Sequence, residues 1–350
     1  MEIKQLHTDD TTLAIGFAES RIGGRTENQD SFGAKNTKLG FLVTVCDGMG
    51  GGPGGKTAST IAVSEIIAGI DEANEEEAIP NIIIKAIRRA NMAIIEAGNE
   101  TPALKGMGST ATVLLATEQA AYVAHVGDSR VYQFRGKKKI FRTFDHSMVF
   151  DLVKQGVITE EQARLSAQSN IITRALGIKA DVEVDVAERP FEKGDRFLLC
   201  SDGIHGTMPE PELIKLATSH KNVLGAITDD IATLVDDNGC STGGGHDNLT
   251  LALIEMKQNS KLKPIMSRNT KLILLALAVI CLFSIVLNFI QFRSNRQPAD
   301  NGQALADSTK VWQQKDSAYR ATIQGLESQK DTLQKQLSEI ENVLTGKKNK

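Results

Sequence analysis

Five aspartates in this chain fall at the tip of a strand-like run or in the loop beside one. Phe41 to Cys46 is apolar or β-branched and ends on Asp47. Phe197 to Cys200 leads through Ser201 into Asp202, and Asp247 precedes the apolar run Leu249 to Ile254. Asp128 lies in the turn Gly127-Asp128-Ser129, and Asp30 closes the hexad Arg25-Thr26-Glu27-Asn28-Gln29-Asp30. Strand tips and adjoining loops are where layered folds gather binding groups. Two carboxylates about 4 Å apart repel by about 4 kcal/mol at an effective dielectric of about 20, so such a gathering calls for protons or cations. Oxygen donors without histidine or cysteine partners suit Mg²⁺ or Mn²⁺ rather than Zn²⁺. A carboxylate such as Asp47 can bridge two ions, Gly48 can add its carbonyl, and Arg25 can grip a tetrahedral phosphate with its planar fork. The chemistry so assembled is hydrolysis of a phosphate monoester by in-line attack of an activated water.

Plainer readings compete. From Gly48 to Gly55 every residue but Met49 and Pro53 is glycine, which reads as backbone free to approach a ligand, or simply as a flexible turn beside an incidental aspartate. Gly50 to Thr57 also fits the phosphate-loop pattern G-x-x-x-x-G-K-[ST] between a strand and a helix. An NTPase built on it would leave Asp47 idle and the other acids unexplained. Taken alone, Asp128 reads as a turn former, Arg130 as a salt-bridge partner, and His146 and His246 as polar contacts at one remove. Cys46 and Cys200 read as small buried residues rather than redox switches.

The elements that must position these groups follow from patterning. Short β-type runs alternate with helical ones from Leu13 to about Met256. Four successive strands are predicted at 111–117, 120–126, 130–135 and 138–144, with turns short enough for an antiparallel meander. Further strands are expected at 181–187, 196–201 and 248–255, and helices at 56–70, 79–97, 210–219 and 222–236. That order gives an α+β fold of packed layers and argues against a doubly wound sheet.

Composition sets the outer limits. The chain has 350 residues, 40 basic and 43 acidic, for a net charge of -3, and 5% aromatics, so neither charge nor stacking points to nucleic acid. The four cysteines show no C-x-x-C spacing, against a zinc or disulfide framework. The opening MEIKQLHTDD is too polar for a signal peptide. Residues 1–256 read as one domain and 257–271 as a basic linker. Within 272–292, Leu272 to Ile290 runs nineteen residues without a charge, enough to span ~30 Å of hydrocarbon at ~1.5 Å per residue. Five basic residues precede it (Lys257, Lys261, Lys263, Arg268, Lys271) against Arg293 and Arg296 after it, which predicts a single-pass protein of the cell (inner) membrane with its N-terminal domain cytoplasmic. In the non-cytoplasmic 293–350, Tyr319, Ile323, Leu326, Lys330, Leu333, Leu337, Ile340 and Leu344 alternate 4-3. This predicts a coiled coil over about 312–344 and a homo-oligomer through it.

The motifs R-T-E-N-Q-D (25–30), D-G-M-G-G (47–51), G-K-T-A-S (55–59), G-S-T (108–110), G-D-S-R (127–130), D-H-S (145–147), I-T-R-A-L-G (172–177), S-D-G (201–203) and D-N-L-T (247–250) occur in the order seen in type 2C (PPM) metal-dependent serine/threonine phosphatases. Over about residues 13–256 the chain resembles the bacterial branch of that family. The resemblance implies an α-β-β-α sandwich of two antiparallel sheets flanked by helices. It implies two Mn²⁺ or Mg²⁺ ions, with a third more weakly held. By position, Asp47 would bridge both ions and Gly48 would bind the first through its carbonyl. Asp202 and Asp247 would bind the second, Asp30 would act through water, and Asp128 would hold the third with Asp202. Arg25 would take the substrate phosphate. The run Ser147 to Arg174 resembles a flap that biases substrate choice. Met49 stands where the eukaryotic branch has a histidine proposed as general acid, Gln29 where it has glutamate, and Gly52 and Lys56 where histidine and glutamate are common. The implied partners are phosphorylated proteins, with a membrane kinase or its targets expected from the tether. A rival within the resemblance is a receptor whose inactive phosphatase-like domain only binds phosphoproteins.

Overall fold

The computed structural model describes residues 4–6, 13–50, 54–166, 168, 171–220, 223–262, 284–287, 312, 314–325, 327–328 and 330. In chain order the strands and helices begin with β1 (Lys4–Gln5), β2 (Ala14–Arg21), β3 (Asp30–Thr37), β4 (Gly40–Met49), α1 (Gly54–Asp71) and α2 (Ile79–Glu100). Then come β5 (Gly108–Ser109), β6 (Ala111–Ala116), β7 (Ala121–Val126), β8 (Arg130–Arg135), β9 (Lys138–Arg142), α3 (Met148–Lys154) and α4 (Glu160–Arg164). The unit closes with β10 (Asp185–Arg189), β11 (Arg196–Cys200), α5 (Asp202–Thr207), α6 (Glu210–Ala217), α7 (Leu224–Ser241) and β12 (Leu249–Met256).

Two antiparallel sheets result, ordered β1-β2-β12-β11-β8-β9 and β10-β7-β6-β4-β3. Strand alternation sorts the core into three clusters. Phe197 and Leu199 of β11 join Val43, Val45 and Ile254 in a cluster that draws on both sheets. Their neighbours Leu198 and Cys200 cluster instead with Ile231 and Val235 of α7. On the second sheet, Leu42 and Cys46 of β4 pack with Ile66 of α1 and Ile87 of α2. Each fully buried Leu, Ile or Phe contributes about 1.5–3 kcal/mol, so the inner cluster is what holds the sheets together. The α+β layering expected above is therefore present.

One expectation fails. The four strands from 111 to 142 are not one meander: β6 and β7 form a hairpin in one sheet, while β8 and β9 form a hairpin in the other. The turn between them, with Gly127 at φ +102°, carries the chain across. A Cβ at Gly127 would lie 2.7 Å from the Thr110 side chain, so the crossing needs glycine on two counts. Asp128 thereby sits where the sheets face each other. The strand expected at 181–187 lies at Asp185–Arg189, and β4 continues through Met49 before α1 starts at Gly54.

The chain divides into two compact units, Met1–Ile265 and Met266–Lys350. Residues 257–262, read as linker, are tied into the first: Lys261 and Leu262 donate backbone N–H groups to Glu118 and Gln119 at 2.9 and 2.7 Å. Among the described residues no helix is long and apolar enough to cross a membrane. The expected span 272–292 lies outside the described residues except for helical 284–287. Of the expected coiled coil, Trp312, Tyr319 and Ile323 are helical and exposed, while Leu326 and the positions from Leu333 onward lie outside the described residues.

Candidate active site

The registers of the sheets bring the first two acids together. Asp30 opens β3 directly opposite Asp47 near the end of β4, and directly paired residues hold their Cβ atoms about 4.5–5.5 Å apart. Asp47 is fixed through its backbone: its N–H donates to Thr110 Oγ1 at 2.9 Å and its carbonyl accepts from Thr110 N–H at 2.8 Å. Ser129 holds that threonine hydroxyl at 2.7 Å. Gly48 cannot be replaced without movement, because a Cβ there would stand 1.9 Å from the Gly55 carbonyl oxygen. The glycines thus let the start of α1 close onto the tip of β4.

Asp202 is the first residue of α5, directly after β11. Its neighbour Ser201 donates from Oγ to Asp30 Oδ2 at 2.7 Å and accepts from Thr250 N–H at 3.0 Å, joining β3, β11 and β12. Asp247 precedes β12 and bonds Arg25 Nη2 through Oδ2 at 2.8 Å. Asn248 then ties the 22–29 loop down: its Nδ2 donates to the carbonyls of Ile22 and Glu27, and its Oδ1 accepts from Gln29 N–H at 2.9 Å. Asp47, Asp128, Asp202, Asp247, Arg25 and Gly48 line one cavity of about 470 Å³. Asp30 lies beneath it, 2% exposed. All seven positions singled out from the sequence therefore meet in one place.

The electrostatics follow from that crowding. Burial first, then the charges of Asp30, Asp202, Asp128 and Asp247, hold the Asp47 carboxyl well above the usual carboxylate range. Burial and then Asp202 and Asp145 do the same to Asp128. Burial pushes Asp30 up to about 6 against hydrogen bonds from Ser201 and Thr250, and burial with the charges of Asp247 and Asp30 pushes Asp202 up to about 7. Asp30 Oδ1 and Asp202 Oδ1 are buried without a hydrogen-bond partner. An unpaired buried oxygen is costly, and two of them in one acidic cleft fit cations as the missing partners. The donors are all oxygen, which suits Mn²⁺ or Mg²⁺. Lys56, which creates the phosphate-loop match, is spent elsewhere: its Nζ donates to the Asp30 carbonyl at 2.6 Å and to Ser31 Oγ at 3.1 Å.

Several plainer readings hold. Arg130 forms a buried two-point pair with Asp145 at 2.7 and 2.6 Å. Cys46 and Cys200 are fully buried, and burial pushes both thiols up to about 12. His146 Nδ1 accepts from Gly127 N–H at 3.1 Å while Nε2 lies 3.3 Å from Asp185 Oδ2, so it clamps the crossing turn rather than facing the cavity. His125, His146 and Asp185 place ligand atoms within 4.8 Å of one another. Gly127 N–H already occupies His146 Nδ1, however, and Nε2 lies 3.2 Å from Arg174 Nη1, a positive group that opposes a cation there. Sequence reasoning stopped at the acids and missed the groups that aim them: Ser129, Ser201, Asn248 and Thr110. All four were spelled out in the motifs.

Beside the acids a second groove of about 530 Å³ opens between α3, α4 and α5, sharing Arg25, Asp128, Asp202 and Asp247 with the first cavity. Its outer wall includes Phe150, Glu160 and Arg164 of the 147–174 run. Ser147 caps α3, and a reciprocal Thr159–Gln162 capping box starts α4.

The protein phosphatase 2C family model matches residues 19–236. The serine/threonine phosphatase stp of Listeria innocua serovar 6a is 34% identical over 243 residues, covering 68% of this chain and 94% of the relative. Among solved structures, the S. agalactiae serine/threonine phosphatase is 32% identical with a TM-score of 0.62, over 69% of this chain and 98% of that one. The catalytic domain of the serine threonine protein phosphatase PstP in complex with two manganese ions is 29% identical with a TM-score of 0.58, over 69% and 98%.

Proposed function

The chain belongs to the protein phosphatase 2C family and is a serine/threonine protein phosphatase, and from this we propose how its acidic cleft works. The cofactors are divalent cations, Mn²⁺ or Mg²⁺. Asp47 and the Gly48 carbonyl would hold one, and Asp47, Asp202 and Asp247 a second. Asp30 would act from beneath through water, and Asp128 with Asp202 would hold a third, weaker one. When bound, such ions supply Lewis acidity toward phosphoryl oxygens and activate water near neutral pH. Arg25, half exposed and bonded to Asp247 by one nitrogen, offers the rest of its fork to the phosphate of a phosphoserine or phosphothreonine. Gripping that phosphate beside the acids aligns it for in-line displacement, in which water attacks phosphorus and the side-chain oxygen leaves. Thr110, Ser201 and Asn248 keep the acids and the Arg25 loop in register throughout. With Met49 at the cavity wall in place of an ionisable side chain, the leaving oxygen takes its proton from water.

The observation that carries this reading is the convergence of acids from five distant segments on one cleft, with unpartnered oxygens on Asp30 and Asp202. The test is turnover of a phosphothreonine peptide by the full chain. Mn²⁺ should support it and EDTA should stop it. Asp47→Asn and Asp202→Asn should each lose about 10³-fold or more, the scale of removing a main electrostatic group. Phosphopeptide binding without turnover would favour the receptor alternative instead.

We also propose, from the uncharged run Leu272 to Ile290 and the basic residues before it, that the chain is anchored by one span with its phosphatase domain cytoplasmic and a coiled coil beyond. The tether would concentrate it near membrane-borne phosphoproteins, a serine/threonine kinase or its targets among them. Full-length protein should stay with membranes through an alkaline wash, and a chain ending at Leu262 should not. Release of the full chain into the soluble fraction would contradict the anchor.

A further inference from the structure

The α7 helix does more than cover its sheet. Asp229, Thr233, Asp236 and Gly239 recur at spacings of four, three and three, which puts them on one face. Against that face lies buried Arg21, the last residue of β2. Its Nη2 donates to Asp229 Oδ1 at 2.8 Å and to Thr233 Oγ1 at 2.9 Å, and its Nη1 stands 3.7 Å from Asp236 Oδ2. The other Asp236 oxygen, Oδ1, accepts from His246 Nε2 at 2.8 Å. The His246 ring rests on Gly239, where a Cβ would stand 2.2 Å from it, so the helix carries a glycine where the ring needs room. The ring's buried Nδ1 has no hydrogen-bond partner among the described residues, which leaves the bond to Asp236 as its polar hold.

His246 is also where two parts of the cleft meet. It follows Gly243-Gly244-Gly245, whose φ values of 108°, 74° and 71° turn the chain back without a side chain to fasten it. It precedes Asp247, and its carbonyl accepts from Gly24 N–H at 3.0 Å. The two backbones lie close: a Cβ on Gly23 would stand 2.2 Å from the Asp247 carbonyl oxygen, and one on Gly24 would stand 2.3 Å from Gly245 N. Arg25 follows directly and bonds Asp247. A shift of His246 therefore carries Asp247 and Arg25 with it.

We infer that Asp236 and His246 are positioning residues: the chain Arg21–Asp236–His246 lets α7 set where Asp247 and Arg25 stand. Neither has to touch an ion or a phosphate. A bare glycine turn would leave Asp247 to lose conformational freedom each time an ion binds, and pinning its neighbour to a helix removes that cost beforehand. The effect on Arg25 rests on the phosphatase reading, while the effect on ion binding stands apart from turnover.

The test compares the full chain with His246→Ala, Asp236→Ala and His246→Gln, the last of which keeps a donor near the place of Nε2. Mn²⁺ binding is followed by the electron paramagnetic resonance of the free ion, and turnover of a phosphothreonine peptide is measured beside it. Each alanine variant should raise the half-saturating Mn²⁺ concentration and the KM about fivefold, the scale of one lost hydrogen bond. Its kcat at saturating Mn²⁺ and peptide should stay within about twofold. His246→Gln should recover most of the loss, and the double alanine variant should be no worse than either single one, since both act through one bond. Unchanged Mn²⁺ binding and KM in both alanine variants overturn the inference. So does a lower kcat and melting temperature with neither constant moved, which is an effect on the fold alone. If the wild type turns over no phosphopeptide under any metal while the alanine variants still bind Mn²⁺ more weakly, the positioning of Asp247 holds and only the phosphatase reading falls.

Discussion

Asp30 and Asp202 each bury an oxygen that no described residue satisfies, and their shared burial gives these two groups a pH dependence in an unusual direction. Most folds gain stability as carboxylates ionise. Here the folded-state values are raised, to about 6 for Asp30 and about 7 for Asp202, above an ordinary aspartate near 3.9. A raised folded value means that the native state binds the proton more tightly. The contribution of these groups is thus fully present below about pH 4 and is lost as pH rises through 6 to 7. Without divalent metal these acids therefore pull the urea midpoint down between pH 5 and pH 7.5. His146 and His205, whose folded values burial lowers to about 4 and about 3, pull it up, so the share of the acids is the part that a substitution removes. Mn²⁺ should restore it most at pH 7.5, where it replaces absent protons. Asp202→Asn should remove its downward share from the metal-free profile. A metal-free profile that Asp202→Asn leaves unchanged, with a midpoint that does not respond to Mn²⁺, would show that the acids are not crowded as described.

At the scale of elements, the site depends on how strand ends and short helices are joined. The β3–β4 register pairs Asp30 with Asp47, and the β7–β8 crossing delivers Asp128 between the sheets. The 147–174 run closes back on its own start: Thr173 N–H donates to the His146 carbonyl at 2.7 Å, and Met148 N–H to Ile171 at 3.0 Å. Arg164 in turn reaches the Gly206 carbonyl of α5 at 3.0 Å across the groove. On the proposed reading this flap would meet the substrate chain rather than the phosphate, so Arg164→Ala should raise the KM for a phosphopeptide about fivefold, the loss of a contact worth ~1 kcal/mol. Turnover of a small aryl phosphate should stay within about twofold. A parallel fall in both would place Arg164 in the phosphate machinery instead. Element boundaries were largely legible in the sequence, since β8 runs from Arg130 to Arg135 as its alternation predicts. Which sheet each hairpin joins was not. Turn residues report that the chain reverses, whereas membership of a sheet is decided by packing across the sandwich, which Gly127 and Thr110 settle through space.

For the molecule as a whole, two stacked sheets with helices outside gather residues 25, 30, 47, 128, 202 and 247 at one cleft, although more than 200 positions separate the first from the last. The acids were legible because each falls at a strand tip or in the loop beside one and belongs to a short motif. The hydroxyls and amide that aim them were not, because Ser201 and Asn248 look like ordinary loop residues until the strands they join are known. The central claim is that this cleft is built around a pair of divalent cations sharing Asp47. Crystals of the protein grown with Mn²⁺ and measured at the manganese absorption edge test it most directly. Two anomalous peaks about 3.5–4 Å apart, both in contact with the Asp47 carboxylate, are the predicted result. A cleft without manganese, or a single ion that Asp47 does not touch, would contradict it.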